Sequence, residues 1–298
     1  MKVFVTGASG FIGSAVVSEL IKSGHQVVGL ARSEKSAEVI KDLGAEVLEG
    51  NLENIELLKW ATQQCDGVIH IAFNHDFMKG GQSTFLDSAN TDKNAILAMG
   101  EVLIGTAKPI VVTGGILGLP LINGKITEDS LHSENFPRTS ETTALVLAAK
   151  GVNASVIRLS PSVHDKGDYG FIPFIISQAR KKGVSAYPDN GAIHWNAVHR
   201  LDAAKAFRLA IERGAKGALY NVVGETSISL KNIAEIIGKK LNIPVTSVTG
   251  DDLIQHFEWL SHFISFHSPA TNFQTKQQLG WEPTEIGLIE DIELNYFN

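Results

Sequence analysis

The sequence predicts a doubly wound α/β fold, a parallel sheet covered on both faces by helices, followed by a smaller C-terminal region of different build. Three observations carry this prediction. Short runs rich in Val and Ile alternate with longer helix-period segments up to residue 160, the rhythm of strand–helix–strand units. A glycine-rich turn joins the first run to the first helical segment. Beyond Ser160 the rhythm breaks, with prolines and glycines clustered between residues 161 and 173.

Residues 3–6, 26–30, 46–48, 67–71, 109–113 and 154–159 are short apolar runs that read as buried strands. Residues 11–22, 34–43, 55–63, 84–103 and 140–150 carry apolar side chains at helical spacing. Gly24, Gly44 and Gly151 follow three of these helices, where a left-handed residue commonly ends the last turn. After residue 160 the pattern predicts a helix over 174–182, strands over 193–198 and 218–222, and a strong helix at 201–213 between those strands. A helix over 230–241 and a closing amphipathic segment complete the chain. The expected division is residues 1–160 and 161–298, with segments near 193–222 returning to the large sheet and no linker separating the two parts.

Composition narrows the function. The chain has 298 residues, enough to bury about three quarters of its unfolded surface without a disulfide or metal staple. Cys65 is the single cysteine, which excludes an intramolecular disulfide and a zinc site built on several thiolates. With a net charge of −6 and scattered basic residues, neither nucleic acid nor an anionic membrane is expected as the main partner. The N-terminus shows no export-signal pattern and no run approaches the ~18 apolar residues of a membrane span, so a cytoplasmic setting is expected.

Thr6-Gly7-Ala8-Ser9-Gly10-Phe11-Ile12-Gly13 follows the first strand and opens the first helix. Glycine at these spacings permits a tight turn, close backbone approach to a pyrophosphate, and close helix–strand packing, while the helix N-terminus offers N–H donors. Gly7, Ser9, Gly10, Phe11, Ile12 and Gly13 are therefore expected to hold a dinucleotide. The second strand leads into Arg32-Ser33, where Asp or Glu would bind the ribose hydroxyls of NAD and an arginine instead suits a 2′-phosphate. The expected cofactor is NADP(H). Asn51-Leu52, after the third strand, are placed near the adenine edge, and Ala72 beside the cofactor after the fourth.

With these residues in view, the sequence resembles the extended short-chain dehydrogenase/reductase family, nearly end to end. The matching pieces are the 6–13 loop, Asp66-Gly67-Val68-Ile69-His70-Ile71-Ala72, Val111-Val112-Thr113, Val156-Ile157-Arg158-Leu159 and Leu279-Gly280-Trp281-Glu282-Pro283-Thr284. More narrowly it looks like an atypical subgroup, through Ala72-Phe73-Asn74-His75-Asp76-Phe77, Arg138-Thr139-Ser140-Glu141, Ser162-Val163-His164, Gly167-Asp168 and the stretch from Ala197 to Ala204. The resemblance implies a Rossmann sheet with a C-terminal substrate-binding region and a nicotinamide cofactor. It also implies a Ser or Thr ending the fifth strand, matched by Thr113, which would hydrogen-bond the substrate oxygen, and a Tyr-x-x-x-Lys pair on the next helix.

That pair is absent. The tyrosines are Tyr169, Tyr187, Tyr220 and Tyr296; Pro173, Gly191 and Gly224 stand four places after the first three, and two residues follow the last. The pair is expected near residues 132–138, where Arg138 takes the lysine position and can bind ribose or phosphate through its fork of donors. Glu134 lies four residues earlier, but Pro137 disfavours a continuous helix between them. A histidine is then the expected source of the proton, because its pKa suits transfer near neutrality. His75 and His164, which follow the fourth and sixth strands, come first, with His132 a further candidate. Asn74 is expected to bind a substrate carbonyl or the nicotinamide amide of the cofactor, and Asp76, Trp195 and His199 to border the substrate. His256, His262 and His267 match no metal-binding spacing, and no metal is expected.

These readings predict an NADP(H)-dependent oxidoreductase that reduces a carbonyl of a small organic substrate. The alternatives are a non-catalytic NADP(H)-binding redox sensor and a nucleotide-sugar epimerase or dehydratase. The helices at 84–103 and 140–150 could pair across a two-fold axis in a homodimer, with Met99, Leu103 and residues 145–147 as apolar surface.

Overall fold

In the computed structural model, which describes residues 1–76, 83–133 and 136–297, the expected strands and helices of the first half form in the expected order. They are β1 (Lys2–Thr6), α1 (Phe11–Lys22), β2 (Gln26–Ala31), α2 (Glu34–Asp42), β3 (Glu46–Glu49), α3 (Ile55–Gln64), β4 (Gly67–His70), α4 (Phe85–Glu101), β5 (Pro109–Gly115), α5 (Ser140–Ala149) and β6 (Asn153–Leu159). After them come β7 (Ser162–His164), α6 (Phe171–Lys182), β8 (Ser185–Pro188), β9 (His194–His199), α7 (Arg200–Arg213), β10 (Leu219–Val222), β11 (Glu225–Ser229) and α8 (Leu230–Leu241). The chain closes with β12 (Val245–Val248), α9 (Gly250–Phe257), α10 (Ser261–Ile264), α11 (Phe273–Leu279) and α12 (Leu288–Asn295).

Seven strands form one parallel sheet in the order β3-β2-β1-β4-β5-β6-β10. Successive side chains of a strand point to opposite faces, and β1 shows it. Val3 and Val5 join Val16, Val17 and Leu20 of α1, Ile40 of α2 and Phe207 of α7 on one face. Phe4 faces the other side, with Leu58 of α3, Ile96 and Met99 of α4, and Leu147 of α5. Helices therefore cover both faces. Met99, Leu103 and Leu147 are wholly enclosed in this core, so they are not the apolar surface expected of a dimer face.

The strand order reverses between β1 and β4, which opens a crevice beyond the C-terminal ends of those strands. The loops after β1, β2, β4 and β5 converge there.

The second region has a three-stranded sheet, β11-β9-β7, a two-stranded sheet, β12-β8, and its own core. Of the 193–222 segment, β10 lies at the edge of the large sheet and α7 packs on its α1 face. The strand expected at 193–198 does not return there. As β9 it pairs parallel with β7 and antiparallel with β11. Helix α6 starts at Phe171, three residues earlier than expected, because Pro173 falls in the first turn, where its missing N–H has no intrahelical partner to lose. Trp195 is 1% exposed in the second core, and its Nε1–H donates to the Phe266 carbonyl at 3.0 Å. It packs there and offers no open wall to a substrate, contrary to the expectation. Among the described residues, no helix is long and apolar enough to cross a membrane.

Candidate active site

The loop between β1 and α1 packs backbone closely against backbone. Gly7 has φ +72°, and a Cβ there would meet the Ala72 amide nitrogen at 2.8 Å. A Cβ on Gly13 would lie 1.9 Å from the Gly7 carbonyl oxygen, so only glycine lets helix and turn approach this closely. Gly10 is the N-cap of α1 and supplies no side-chain cap, which leaves first-turn amides of the helix to be satisfied by other groups. A turn without side chains at its glycines and the positive end of the helix dipole fit a dinucleotide pyrophosphate.

On the β2 side, Arg32 is exposed, and Ser33 caps α2 by accepting the Ser36 N–H. Asp76, expected at the substrate, lies with its carboxylate 3.7 Å from the Arg32 guanidinium instead. Asn74 accepts the Asp76 N–H through Oδ1 at 3.0 Å, shaping that turn. Asn51 accepts the Glu53 N–H in an exposed turn, and Leu52 packs against the α3–α5 core.

At the C-terminal ends of β4 and β5 the structure assembles a polar ring that the sequence did not announce. Adjacent strands bring Thr6 beside His70 in register, and the Thr6 hydroxyl meets His70 Nδ1 at 2.8 Å. His70 Nε2 lies 3.0 Å from Asp92 Oδ1 on α4, and the Ser140 hydroxyl donates to Asp92 Oδ2 at 2.5 Å. Arg138 Nε donates to Ser140 Oγ at 3.0 Å, and its Nη2 donates to the Thr113 carbonyl at 3.1 Å. The Thr113 hydroxyl donates to the His70 carbonyl at 2.7 Å, which closes the ring. Burial alone would raise the Asp92 carboxyl, but His70, the Arg138 charge and Ser140 outweigh it and hold it below the usual carboxylate range. Burial pulls the Arg138 guanidinium below its ordinary value, opposed by Asp92.

This ring changes the expected division of labour. Thr113 is buried and its hydrogen is taken by His70, so it does not present a donor to a substrate oxygen in this arrangement. Arg138 is partly exposed, lies over the Phe73 ring at 4.2 Å, and uses only two of the five N–H donors of a guanidinium in the ring. His75 is exposed and packs edge-on against the same Phe73, at 5.1 Å between centroids. Thr113, Arg138, Phe73 and His75 thus form one rim.

The other histidines lie elsewhere. His132 Nε2 is 3.2 Å from the Gly115 carbonyl, just beyond Thr113 on β5, and its ring stacks on Phe136; burial lowers its pKa. Glu134 is outside the described residues, as is Phe77. His164 is 1% exposed, with Nδ1 2.8 Å from Asp291 of α12, and its ring meets His199 edge-on. His199 caps α7 and sits 3.6 Å from Asp165. The histidines expected near the reaction therefore divide, with His75 on the Arg138 rim, His132 beside the Gly115 carbonyl, and His164 and His199 in an enclosed pair.

None of the four tyrosines hydrogen-bonds into the Thr113–Arg138 ring. The Tyr220 hydroxyl accepts the Ala215 N–H, the Tyr296 hydroxyl donates to Asp168, and Tyr187 lies near Lys231. The Tyr169 hydroxyl accepts the Phe11 N–H at the phosphate loop.

Behind the rim, Arg158 of β6 is fully buried and holds Glu141 of α5 through two 2.7 Å hydrogen bonds. Its other N–H groups reach the carbonyls of Thr127, Glu128 and Ser130. This pair fixes the start of α5, and with it Ser140, against the sheet. Asp202, in the first turn of α7, pairs with Lys205 of the same helix at 3.0 Å and also binds the closing signature: its carboxylate accepts the Thr284 and Glu285 N–H groups, and its carbonyl accepts Trp281 Nε1–H.

Comparison with known proteins fits this architecture. Residues 3–96 match the NAD dependent epimerase/dehydratase family. An uncharacterised protein of Schizosaccharomyces pombe is 45% identical over 295 residues, 98% of this chain and 98% of that protein. A 4-hydroxy-2-methyl-3-oxo-4-farnesyl-3,4-dihydroquinoline-1-oxide ketoreductase of Stigmatella aurantiaca is 26% identical over 251 residues, 80% of this chain and 72% of that protein. The crystal structure of Thermotoga maritima UDP-glucose 4-epimerase with UDP-glucose shares the fold at a TM-score of 0.77 and 19% identity, covering 100% of this chain and 98% of that one. The chain belongs to the NAD-dependent epimerase/dehydratase family of extended short-chain dehydrogenases/reductases, a family of NAD(P)-dependent oxidoreductases and epimerases.

Proposed function

We propose that this protein is a cytoplasmic NADP(H)-dependent reductase acting on the carbonyl of a small organic substrate, an aldehyde or a ketone. The observation that carries the reading is Arg138: a guanidinium fixed by Ser140 and the Thr113 carbonyl at the crevice, with donors left over. Residues 1–160 form the cofactor-binding part and residues 161–298 mainly the substrate-binding part. Gly7, Ser9, Gly10, Phe11, Ile12 and Gly13 hold the pyrophosphate, and Arg32 and Ser33 take the 2′-phosphate. The bound cofactor supplies the hydride. Arg138 donates hydrogen bonds to the substrate oxygen as negative charge develops there, a task for fixed donors in a partly desolvated site. It does not give up a proton, since arginine stays charged at working pH. His75, on the same rim, supplies that proton directly or through water. Thr113 acts on Arg138 by accepting its Nη2–H.

Two measurements test the reading. Arg32→Ala is expected to weaken NADPH binding about 10–100-fold, the range of a lost hydrogen bond to a charged group, and to leave NADH binding unchanged. Equal effects on both cofactors would contradict the 2′-phosphate assignment. A screen of aldehydes and ketones should reveal carbonyl-dependent NADPH oxidation. Tight NADPH binding with no turnover across the panel would favour the redox sensor, for which the missing Tyr-x-x-x-Lys pair is the supporting observation.

A further inference from the structure

We infer that Tyr169 is a cofactor-binding residue that closes the open side of the phosphate loop and donates its hydroxyl hydrogen to the pyrophosphate. The inference rests on the reading of residues 6–13 as a dinucleotide site.

The first four N–H groups of a helix lack intrahelical acceptors. In α1 the Gly10 cap supplies no side chain, yet the Phe11 amide is satisfied from 158 positions away, by the Tyr169 hydroxyl at 3.3 Å. The same oxygen would lie 3.9 Å from a Cβ on Gly10, which places it over the stretch of backbone that a pyrophosphate approaches. A phenolic hydroxyl accepts and donates at once. Its acceptor side is engaged by Phe11, and no hydrogen bond donated by this hydroxyl occurs among the described residues. A phosphate oxygen beside the loop is the natural acceptor for that hydrogen.

The surrounding turn delivers the side chain. Asp168 accepts the Gly170 N–H through Oδ1 at 2.7 Å and the Tyr296 hydroxyl through Oδ2 at 2.8 Å. Asp165 is paired with Arg200 at 3.0 Å. The turn is therefore pinned on both sides of Tyr169, while Tyr169 itself is 71% exposed. Its ring meets Phe11 edge-on, with centroids 5.9 Å apart. Arg200 lies over the Phe11 ring at 4.7 Å and donates to the Phe11 carbonyl, tying the start of α7 to the mouth of the loop. The second region thereby reaches back to the cofactor half through one tyrosine.

The test is calorimetric titration of the full chain and of Tyr169→Phe and Tyr169→Ala with NADPH, and with adenosine 2′-monophosphate, which lacks the pyrophosphate. The expected result is about tenfold weaker NADPH binding by Tyr169→Phe, at least as much loss in Tyr169→Ala, and unchanged binding of the monophosphate. NADPH binding by both variants as tight as wild type, or tighter, would overturn the inference, as would an equal loss for the monophosphate. Wild-type protein that binds neither NADPH nor NADH would overturn the dinucleotide reading and this inference with it. A wild-type preference for NADH would overturn only the role of Arg32. The same comparison with NADH and adenosine 5′-monophosphate would then decide Tyr169.

Discussion

Arg138→Gln is expected to lower kcat/KM for carbonyl reduction by about 10²–10³, the range seen when a preorganised oxyanion donor is removed. Glutamine can still bond to Ser140, so the ring keeps part of its geometry while the charge is lost. Charge is what matters in the step proposed, because oxygen becomes negative in the transition state and not before. The loss should therefore fall mainly on kcat, with a smaller change in NADPH affinity. Arg138→Lys restores the charge without the planar fork and should recover only part of the rate. Because Arg138 helps hold the Asp92 carboxyl low, the glutamine variant should also allow Asp92 to protonate at higher pH than in wild type. Steady-state kinetics beside a binding titration checks the division. Unchanged kcat in Arg138→Gln would remove the guanidinium from the chemistry.

Glu141→Leu is expected to cost about 3–5 kcal/mol of stability in urea unfolding, the usual consequence of stranding one partner of a buried ion pair. Arg158 is 0% exposed and Glu141 3% exposed, so water cannot replace the lost carboxylate. Its remaining partners are neutral groups, chiefly backbone carbonyls, which satisfy hydrogens but do not balance the charge. Adding Arg158→Met to Glu141→Leu should restore much of the loss, because a buried pair replaced by apolar groups is often close to neutral. A single variant within about 1 kcal/mol of wild type would show that the pair is not the clamp described here.

The first half of the fold was legible because its signals are local. A strand, a glycine turn and an apolar helix face lie within a dozen residues of one another, and α1 ends where Ser23-Gly24 predicts. The ring around Asp92 was not legible, because all its links except Arg138–Ser140 are made by sheet register and helix packing across 22 to 64 positions. One signal did exist. Asp92 falls in the buried stripe of α4 with Ser88, Ala95, Ile96 and Met99, where a lone acid requires a partner. The Glu141–Arg158 pair carried the same mark, as charges within otherwise buried elements.

The second region was harder to read for a different reason. Its strands are short, and β12 shows almost no buried side to set a period. Trp195 illustrates a further limit, since a large indole suits a core and a pocket wall equally until its neighbours are known. The division of the histidines has the same origin. His164 comes after β6 in the chain, but it ends β7 in the sheet of the second region, and Asp291, 127 positions later, draws its ring inward.

Carbonyl reduction at the Arg138 rim, proposed here for a chain without Tyr-x-x-x-Lys, leaves a chemical trace in the product. The most direct measurement uses NADPH carrying deuterium at the transferring position, incubated with the wild-type protein and a panel of aldehydes and ketones, with products read by mass spectrometry. The expected product is an alcohol with deuterium on the former carbonyl carbon, formed at a rate that collapses in Arg138→Gln. Saturating NADPH binding with no deuterium in any product would contradict the proposal.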